Sequence, residues 1–182
     1  ITEALARGAL AAKDCLHVEV APKDTKPYTV MIGHGLSQTL GQRIKAACGG
    51  PRRIRLFHDI ALTDRISAIT AELSSAGHTD IQIRTLPQGE AAKTWAPLQE
   101  SVNWLLDTQC DRNTLVCAIG GGVVGDHAGF AASLALRGLD IVHVPTTLLA
   151  QVDSAIGGKT GINTPHGKNL VGTFHQPALV VI

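Results

Sequence analysis

Residues 114–126 read TLVCAIGGGVVGD, a short apolar run that breaks into Gly120, Gly121 and Gly122 and then into small and apolar residues. That is the pattern of a buried strand, a glycine turn and a helix. Such a turn leaves backbone N–H groups bare at a helix N-terminus, where the aligned peptide dipoles favour a phosphate or pyrophosphate. Glycine suits the turn because a Cβ would hold the ligand off the backbone. A second strand over 140–144 ends at Pro145 and leads into Thr146, Thr147 and the polar residues Gln151, Asp153, Ser154, Lys159, Lys168 and Asn169. The first half of this stretch can hold a nucleotide; the second carries groups for a charged substrate.

Outward from that stretch the pattern alternates. Strands are expected at 54–57, 81–86, 114–119 and 141–144, with helices at 64–75, 92–106 and 128–136 between them. Alternation of this kind predicts an α/β fold with a Rossmann-like, mostly parallel sheet and helices on both faces. Ligands of such sheets bind beyond the carboxyl ends of the strands. His58 and Asp59, residues 87–90, residues 120–126 and residues 145–147 all fall at those ends, so four separate turns can meet on one ligand. Nearer the N-terminus, residues 16–20 and 28–32 form an expected β-hairpin around a turn at 22–26. A helix opening at 33–35 and running to about 47 would stack Leu36, Leu40, Ile44 and Ala47 in one apolar stripe. Residues 1–14, Ala-rich and unanchored, are expected to form a loose leader ahead of one domain over 15–182. Residues 160–176 read as a long glycine-rich polar loop, and a further strand begins at Leu179.

The 182 residues are 45% hydrophobic, enough for a real core. Net charge is +1, which points to neither nucleic acid nor an anionic membrane as a partner. Cys15, Cys48, Cys110 and Cys117 form no CxxC pair, so reduced thiols in a cytoplasmic protein are expected. No apolar run approaches the roughly 20 residues of a membrane span. The histidines show no helical metal-ligand spacing: His127 and His143 sit among apolar residues and suit structural roles, while the roles of His58, His166 and His175 stay open. No metal site is expected within this chain.

Each motif has a plainer reading. GGGVVGD departs from the GxGxxG fingerprint, and Gly125 with Ala128, Gly129, Ala131 and Ala132 would equally serve close helix–sheet packing. Asp140 lies at the spacing of a ribose-binding acid but opens a strand, which leaves Asp59 as the better candidate. Glu90 and Lys93 have the spacing of a solvated helix pair; their place beyond the strand at 81–86 favours a binding role. Two lysines and a carboxylate among glycines, Lys159, Lys168 and Asp153, are harder to explain as packing and suggest a pocket for a phosphorylated or carboxylate substrate.

On the stretches PQGEAAK (87–93), GGGVVGDHAGFAAS (120–133), LRG (136–138), VPTTLLAQVDSAIGGKTGIN (144–163) and HGKNLVGTFHQP (166–177), the sequence resembles the 3-dehydroquinate synthase family of the shikimate pathway of aromatic amino acid biosynthesis. Related sugar-phosphate cyclases look similar around the glycine turn, and glycerol-type dehydrogenases share the architecture with different motifs. A stand-alone nucleotide-binding module is the reading from outside enzymology.

The resemblance implies an NAD-binding domain. Asp59, Gln88, Gly89, Glu90, Lys93, Gly121, Gly122, Val123, Gly125, Asp126, Thr146, Thr147 and Leu149 match the family's NAD contacts, to which Lys159 and Lys168 add. Asp153, Lys159, Lys168 and Asn169 match residues around substrate and nicotinamide. Arg137 matches an arginine that reaches the substrate phosphate from the other subunit of a homodimer. The sequence departs from the family at Ile60 and Ala61, near a usual Asn, and at His127, in place of a usual Leu. The implied substrate is a small phosphorylated sugar acid, 3-deoxy-D-arabino-heptulosonate 7-phosphate, converted to 3-dehydroquinate and phosphate with NAD as recycled oxidant. A divalent metal, zinc or cobalt, is implied in a helical C-terminal domain absent from this chain, so the chain alone is expected to be inactive.

Overall fold

The computed structural model describes residues 15–22 and 26–182. The expected leader at 1–14 and the centre of the turn at 22–26 lie outside them. The elements run β1 (Leu16–Val20), β2 (Tyr28–Ile32), α1 (Leu40–Ala47), β3 (Arg53–Asp59), α2 (Thr63–Ser75), β4 (Thr79–Leu86) and α3 (Trp95–Asp107). There follow β5 (Thr114–Gly120), α4 (Gly122–Leu134), β6 (Asp140–Pro145), β7 (Lys159–Thr164), β8 (Gly167–Phe174) and β9 (Leu179–Val181). Seven strands form the main sheet in the order β1-β2-β9-β6-β5-β3-β4, and β7 pairs with β8 in a separate two-stranded sheet. Only the β1–β2 hairpin is antiparallel in the main sheet, as expected for its N-terminal edge.

The central strands are apolar on both faces because helices cover both. Ile54 and Leu56 of β3 and Leu115, Cys117 and Ile119 of β5 pack with Leu40 and Ile44 of α1 and Ile66 and Leu73 of α2. Phe57, Val116 and Ala118, the alternate residues, pack with Leu98 and Leu105 of α3 and Val124, Ala128 and Ala131 of α4. At about 25 cal/mol per Å² of apolar surface removed from water, these two cores supply the main driving force for the fold. From the carboxyl end of β3 the chain turns to one face, into α2; from that of neighbouring β5 it turns to the other, into α4. The crevice between those two ends is the topological switch point at which ligands of this architecture bind.

Several expectations need correction. Residues 160–176 are mostly the β7–β8 hairpin, not a loop. Gly161 stands opposite Gly172, and a Cβ on Gly172 would lie 1.9 Å from the Thr160 carbonyl oxygen, so these glycines mark two backbones in close approach. The helix expected from 33–35 begins as a 3₁₀ turn, Leu36–Thr39, before α1; Leu36, Leu40 and Ile44 are buried, whereas Ala47 is exposed. The helix expected at 92–106 is a 3₁₀ turn, Glu90–Ala92, followed by α3. α4 begins at Gly122 instead of 128, directly after the glycine turn, and closes at Leu134, with Leu136 and Arg137 beyond it at φ 51° and 67°.

Candidate functional site

Because β4, β3, β5 and β6 are adjacent and parallel, their carboxyl ends share one edge of the sheet. Beyond β3, Asp59 Oδ1 accepts from the Ala61 N–H at 2.9 Å, capping the 3₁₀ turn that leads to α2. Beyond β5, Gly121 is the N-cap of α4 and offers no side chain, so the helix lacks a side-chain cap. A Cβ on Gly121 would come within 3.4 Å of Thr147 Cγ2, and one on Gly122 within 3.0 Å of Ser154 Oγ. Beyond β6, the Thr146 N–H donates to the Gly120 carbonyl at 2.9 Å, which ties the two turns together. Leu149, largely exposed, precedes a π-helical turn, Ala150–Ser154.

The turn beyond β4 connects to the rest through a polar network. Lys93 is buried, and its Nζ pairs with Asp126 Oδ2 at 2.5 Å and donates to Asn169 Oδ1. The Asn163 N–H donates to the Lys93 carbonyl at 2.7 Å, its side-chain NH2 to Glu90, and its Oδ1 accepts from the Asn169 N–H at 3.0 Å. Asn163 therefore ties together Glu90, Lys93 and Asn169, a role its sequence position did not reveal. The Asn163–Glu90 contact joins residues 73 positions apart, and only the tertiary fold makes them neighbours. Burial raises the Asp126 carboxyl above its ordinary range, with the Lys93 contact opposing that shift.

A cavity of about 380 Å³ opens beside this network, with Asp126, Asp153, Lys159, Asn169, Leu170 and Phe174 among its walls. Its size falls in the range of small-molecule sites. Lys159 Nζ pairs with Asp153 Oδ1 at 2.6 Å, and that hydrogen bond holds the exposed lysine above its usual pKa. The fold thus gathers Glu90, Lys93, Asp126, Asp153, Lys159 and Asn169, next to the start of α4 at Gly121, Gly122 and Val123. Gly125 lies one turn into that helix, against His143. Gln88 and Gly89 are exposed in the turn before Glu90, with Gly89 at φ 81°. Lys168 stands exposed on β8 and makes no ion pair among the described residues. Arg137 is not brought to the cavity: it follows the C-terminal end of α4, toward the opposite edge of the sheet, and is exposed.

The histidines take positions their sequence left open. His127 is buried, with Nε2 at 2.7 Å from Ser101 Oγ and Nδ1 at 2.8 Å from the Ala92 carbonyl, bracing the Lys93 turn against α4. His58 bridges Thr85 and the Asp59 carbonyl at the end of β3, and His175 reaches the Leu139 carbonyl at 2.8 Å. Burial lowers both His127 and His143 from 6.5 to about 4. For a base with a depressed folded-state pKa, the stabilising difference is present above the unfolded value and lost as pH falls through the folded one. Stability is therefore expected to drop between pH 6.5 and 4, partly offset by Asp126, whose raised pKa acts in the opposite sense. Denaturant titrations across that range check this, and a slope unchanged in His127→Gln would refute the assignment to His127. All four cysteines are free thiols.

No group of three or more His, Cys, Asp or Glu side chains among the described residues is placed to hold a metal ion. Among them, too, no helix is long and apolar enough to cross a membrane.

The model of the family described as 3-dehydroquinate synthase N-terminal matches residues 83–182. The 3-dehydroquinate synthase of Paracoccus denitrificans (strain Pd 1222) is 48% identical over 169 residues, covering 92% of this chain and 45% of the relative. A crystal structure of 2-deoxy-scyllo-inosose synthase complexed with carbaglucose-6-phosphate, NAD+ and Co2+ superposes with a TM-score of 0.80 at 27% identity, covering 91% of this chain and 44% of that one. The 2-epi-5-epi-valiolone synthase of Streptomyces hygroscopicus subsp. jinggangensis 5008, with NAD+ and Zn2+ bound, gives 0.76 at 29% identity, over 90% of this chain and 44% of that one. The chain spans less than half the length of these relatives. The sequence match extends over β5, the glycine turn, α4 and the β7–β8 hairpin, the elements that build the cavity: this chain belongs to the 3-dehydroquinate synthase family.

Proposed function

We propose that residues 15–182 are the NAD-binding half of a cytoplasmic 3-dehydroquinate synthase, a lyase that converts 3-deoxy-D-arabino-heptulosonate 7-phosphate to 3-dehydroquinate and phosphate. The observation that carries this reading is an uncapped 13-residue helix, α4, entered through glycines at the switch point and opening beside a cavity with a lysine and two carboxylates in its walls. The residues present fit a dinucleotide. The first N–H groups of α4 have no side-chain cap, and the absence of Cβ atoms on Gly121 and Gly122, which would crowd Thr147 and Ser154, suits a close backbone approach to a pyrophosphate. Asp59, at the neighbouring carboxyl end, suits a ribose hydroxyl; Thr146, Thr147 and Leu149 line the approach from β6. Glu90 and Lys93 close the far side, with Gln88, Gly89 and Gly125 shaping the turns.

NAD, when bound, would supply a hydride acceptor whose oxidation of a hydroxyl to a ketone acidifies the neighbouring C–H so that phosphate can leave, and would return the hydride afterwards. This chain's residues orient and compensate charge. Lys159, with Lys168 on the same hairpin, meets substrate anions; Asp153 accepts a hydroxyl hydrogen bond while holding Lys159; Asn169, fixed by Lys93 and Asn163, presents its side chain at the cavity rim. A zinc or cobalt ion, on this reading, is held by residues of the full enzyme other than those described. Arg137, exposed and remote from its own cavity, suits service to a second subunit of a homodimer.

Gly122→Val tests the cofactor assignment. The added side chain meets Ser154 and fills the ground over the first N–H groups of α4, outside the strands. NAD affinity is expected to fall roughly a hundredfold, the equivalent of about 2.7 kcal/mol of lost phosphate contacts. Calorimetric titration, with circular dichroism to confirm the fold, measures it; undiminished affinity in the folded variant would remove α4 from the site.

A further inference from the structure

We propose that the hydroxyl of Ser154 is a further binding group of this site, donating a hydrogen bond to a phosphate oxygen held at the N-terminus of α4. The proposal rests on the dinucleotide reading above and concerns a residue that reading leaves unused. Ser154 closes the π-helical turn Ala150–Ser154. Its Oγ exposes less than 1 Å² and has no hydrogen-bond partner. A buried hydroxyl without a partner is costly enough that native structures rarely keep one without a reason.

The orphan oxygen lies against the first residue of α4, since a Cβ on Gly122 would stand 3.0 Å from it. The Val124 and Gly125 N–H groups already donate to the Gly121 carbonyl, at 3.1 and 3.2 Å. Helix geometry therefore leaves Gly122 and Val123 as the open donors, with no side-chain cap to receive them. Two open backbone donors and an unpartnered hydroxyl thus belong to neighbouring residues at the start of α4. The missing partner is a group that only accepts, and a phosphate oxygen is that group.

Ser154 is also the wall between two spaces. It lines the main cavity and a smaller void under the glycine turn bounded by Gly120, Gly121, Gly125, His143 and Pro145. His143, across the void, is kept neutral by burial and presents no rival charge. A trapped water in the void is the competing partner, and it would make the hydroxyl structural.

The test titrates the chain and its Ser154→Ala variant with NAD and with inorganic pyrophosphate, alongside melts of the ligand-free proteins. The dissociation constant of both ligands is expected to rise about tenfold, the worth of one charge-assisted hydrogen bond. The Tm of the free variant is expected to be unchanged or higher, because the alanine removes an unsatisfied group. If the unsubstituted chain binds pyrophosphate but not NAD, the dinucleotide reading fails and Ser154 is judged on pyrophosphate alone. Unchanged affinities, a loss of affinity accompanied by a lower Tm of the free protein, or no binding of either ligand by the unsubstituted chain each overturn the assignment.

Discussion

Lys93→Met is expected to lower the stability of this chain by about 3–5 kcal/mol, the cost of leaving a buried charge without its partner. The Lys93 side chain is 4% exposed and that of Asp126 16%, so little water reaches the pair. Methionine keeps the volume of the aliphatic stem but leaves the largely buried Asp126 without its partner, and Asn169 Oδ1 loses its donor. Against the 5–15 kcal/mol that usually separates folded from unfolded domains, this is a large fraction. The variant's pH dependence carries the sharper signature. The Asp126 carboxyl already sits above its ordinary range through burial. Without the lysine it rises further, and a carboxyl raised on folding contributes stability below its unfolded pKa that is lost as pH climbs through the folded value. Acidifying Lys93→Met toward that value is therefore expected to recover stability relative to the parent. Adding Asp126→Asn should recover it at neutral pH as well. Denaturant titrations of the two variants read both effects. A loss below 1 kcal/mol, or one that Asp126→Asn leaves untouched, would show that the pair is not the strut the network implies.

Phosphate release from 3-deoxy-D-arabino-heptulosonate 7-phosphate by this chain alone, with NAD and zinc supplied, is expected at least about a thousandfold below that of the same chain joined to the remaining part of the Paracoccus relative. On the proposed reading the described residues hold a dinucleotide and meet part of the substrate's charge, yet no group of three or more His, Cys, Asp or Glu among them is placed to hold a metal ion. Without a Lewis acid on the hydroxyl to be oxidised, hydride loss forgoes several kcal/mol of transition-state stabilisation. The cavity is also open on one side: Leu170 and Phe174 in its walls are 62% and 78% exposed. Water there weakens the Lys159 and Asp153 contacts, which a closed, drier site would strengthen. Comparable turnover by the two proteins would overturn this division of labour.

Much of this was readable from residue order alone. The α/β class, the parallel strands and the carboxyl-end placement of Asp59, Glu90, Gly121 and Thr146 follow from hydrophobic periodicity and from breaks at Gly and Pro, both local properties of the chain. The motifs at 120–133, 144–163 and 166–177 carried the family for the same reason, since they are short and contiguous. The site's wiring is different in kind. Residues 160–176 looked like a loop because five glycines interrupt 157–172, and only strand pairing shows Gly161 and Gly172 as the places where two backbones nearly touch. The Glu90–Asn163 contact and the Lys93–Asn169 contact bridge 73 and 76 positions, and nothing local in either partner encodes the other. Nor could Ser154, one more polar residue in a polar run, be known as an orphan hydroxyl until the π-helical turn and the start of α4 were set against each other. Periodicity fixes which face of an element is buried; which polar side chains meet depends on how those faces stack, and that is settled only by the packing of the whole sheet.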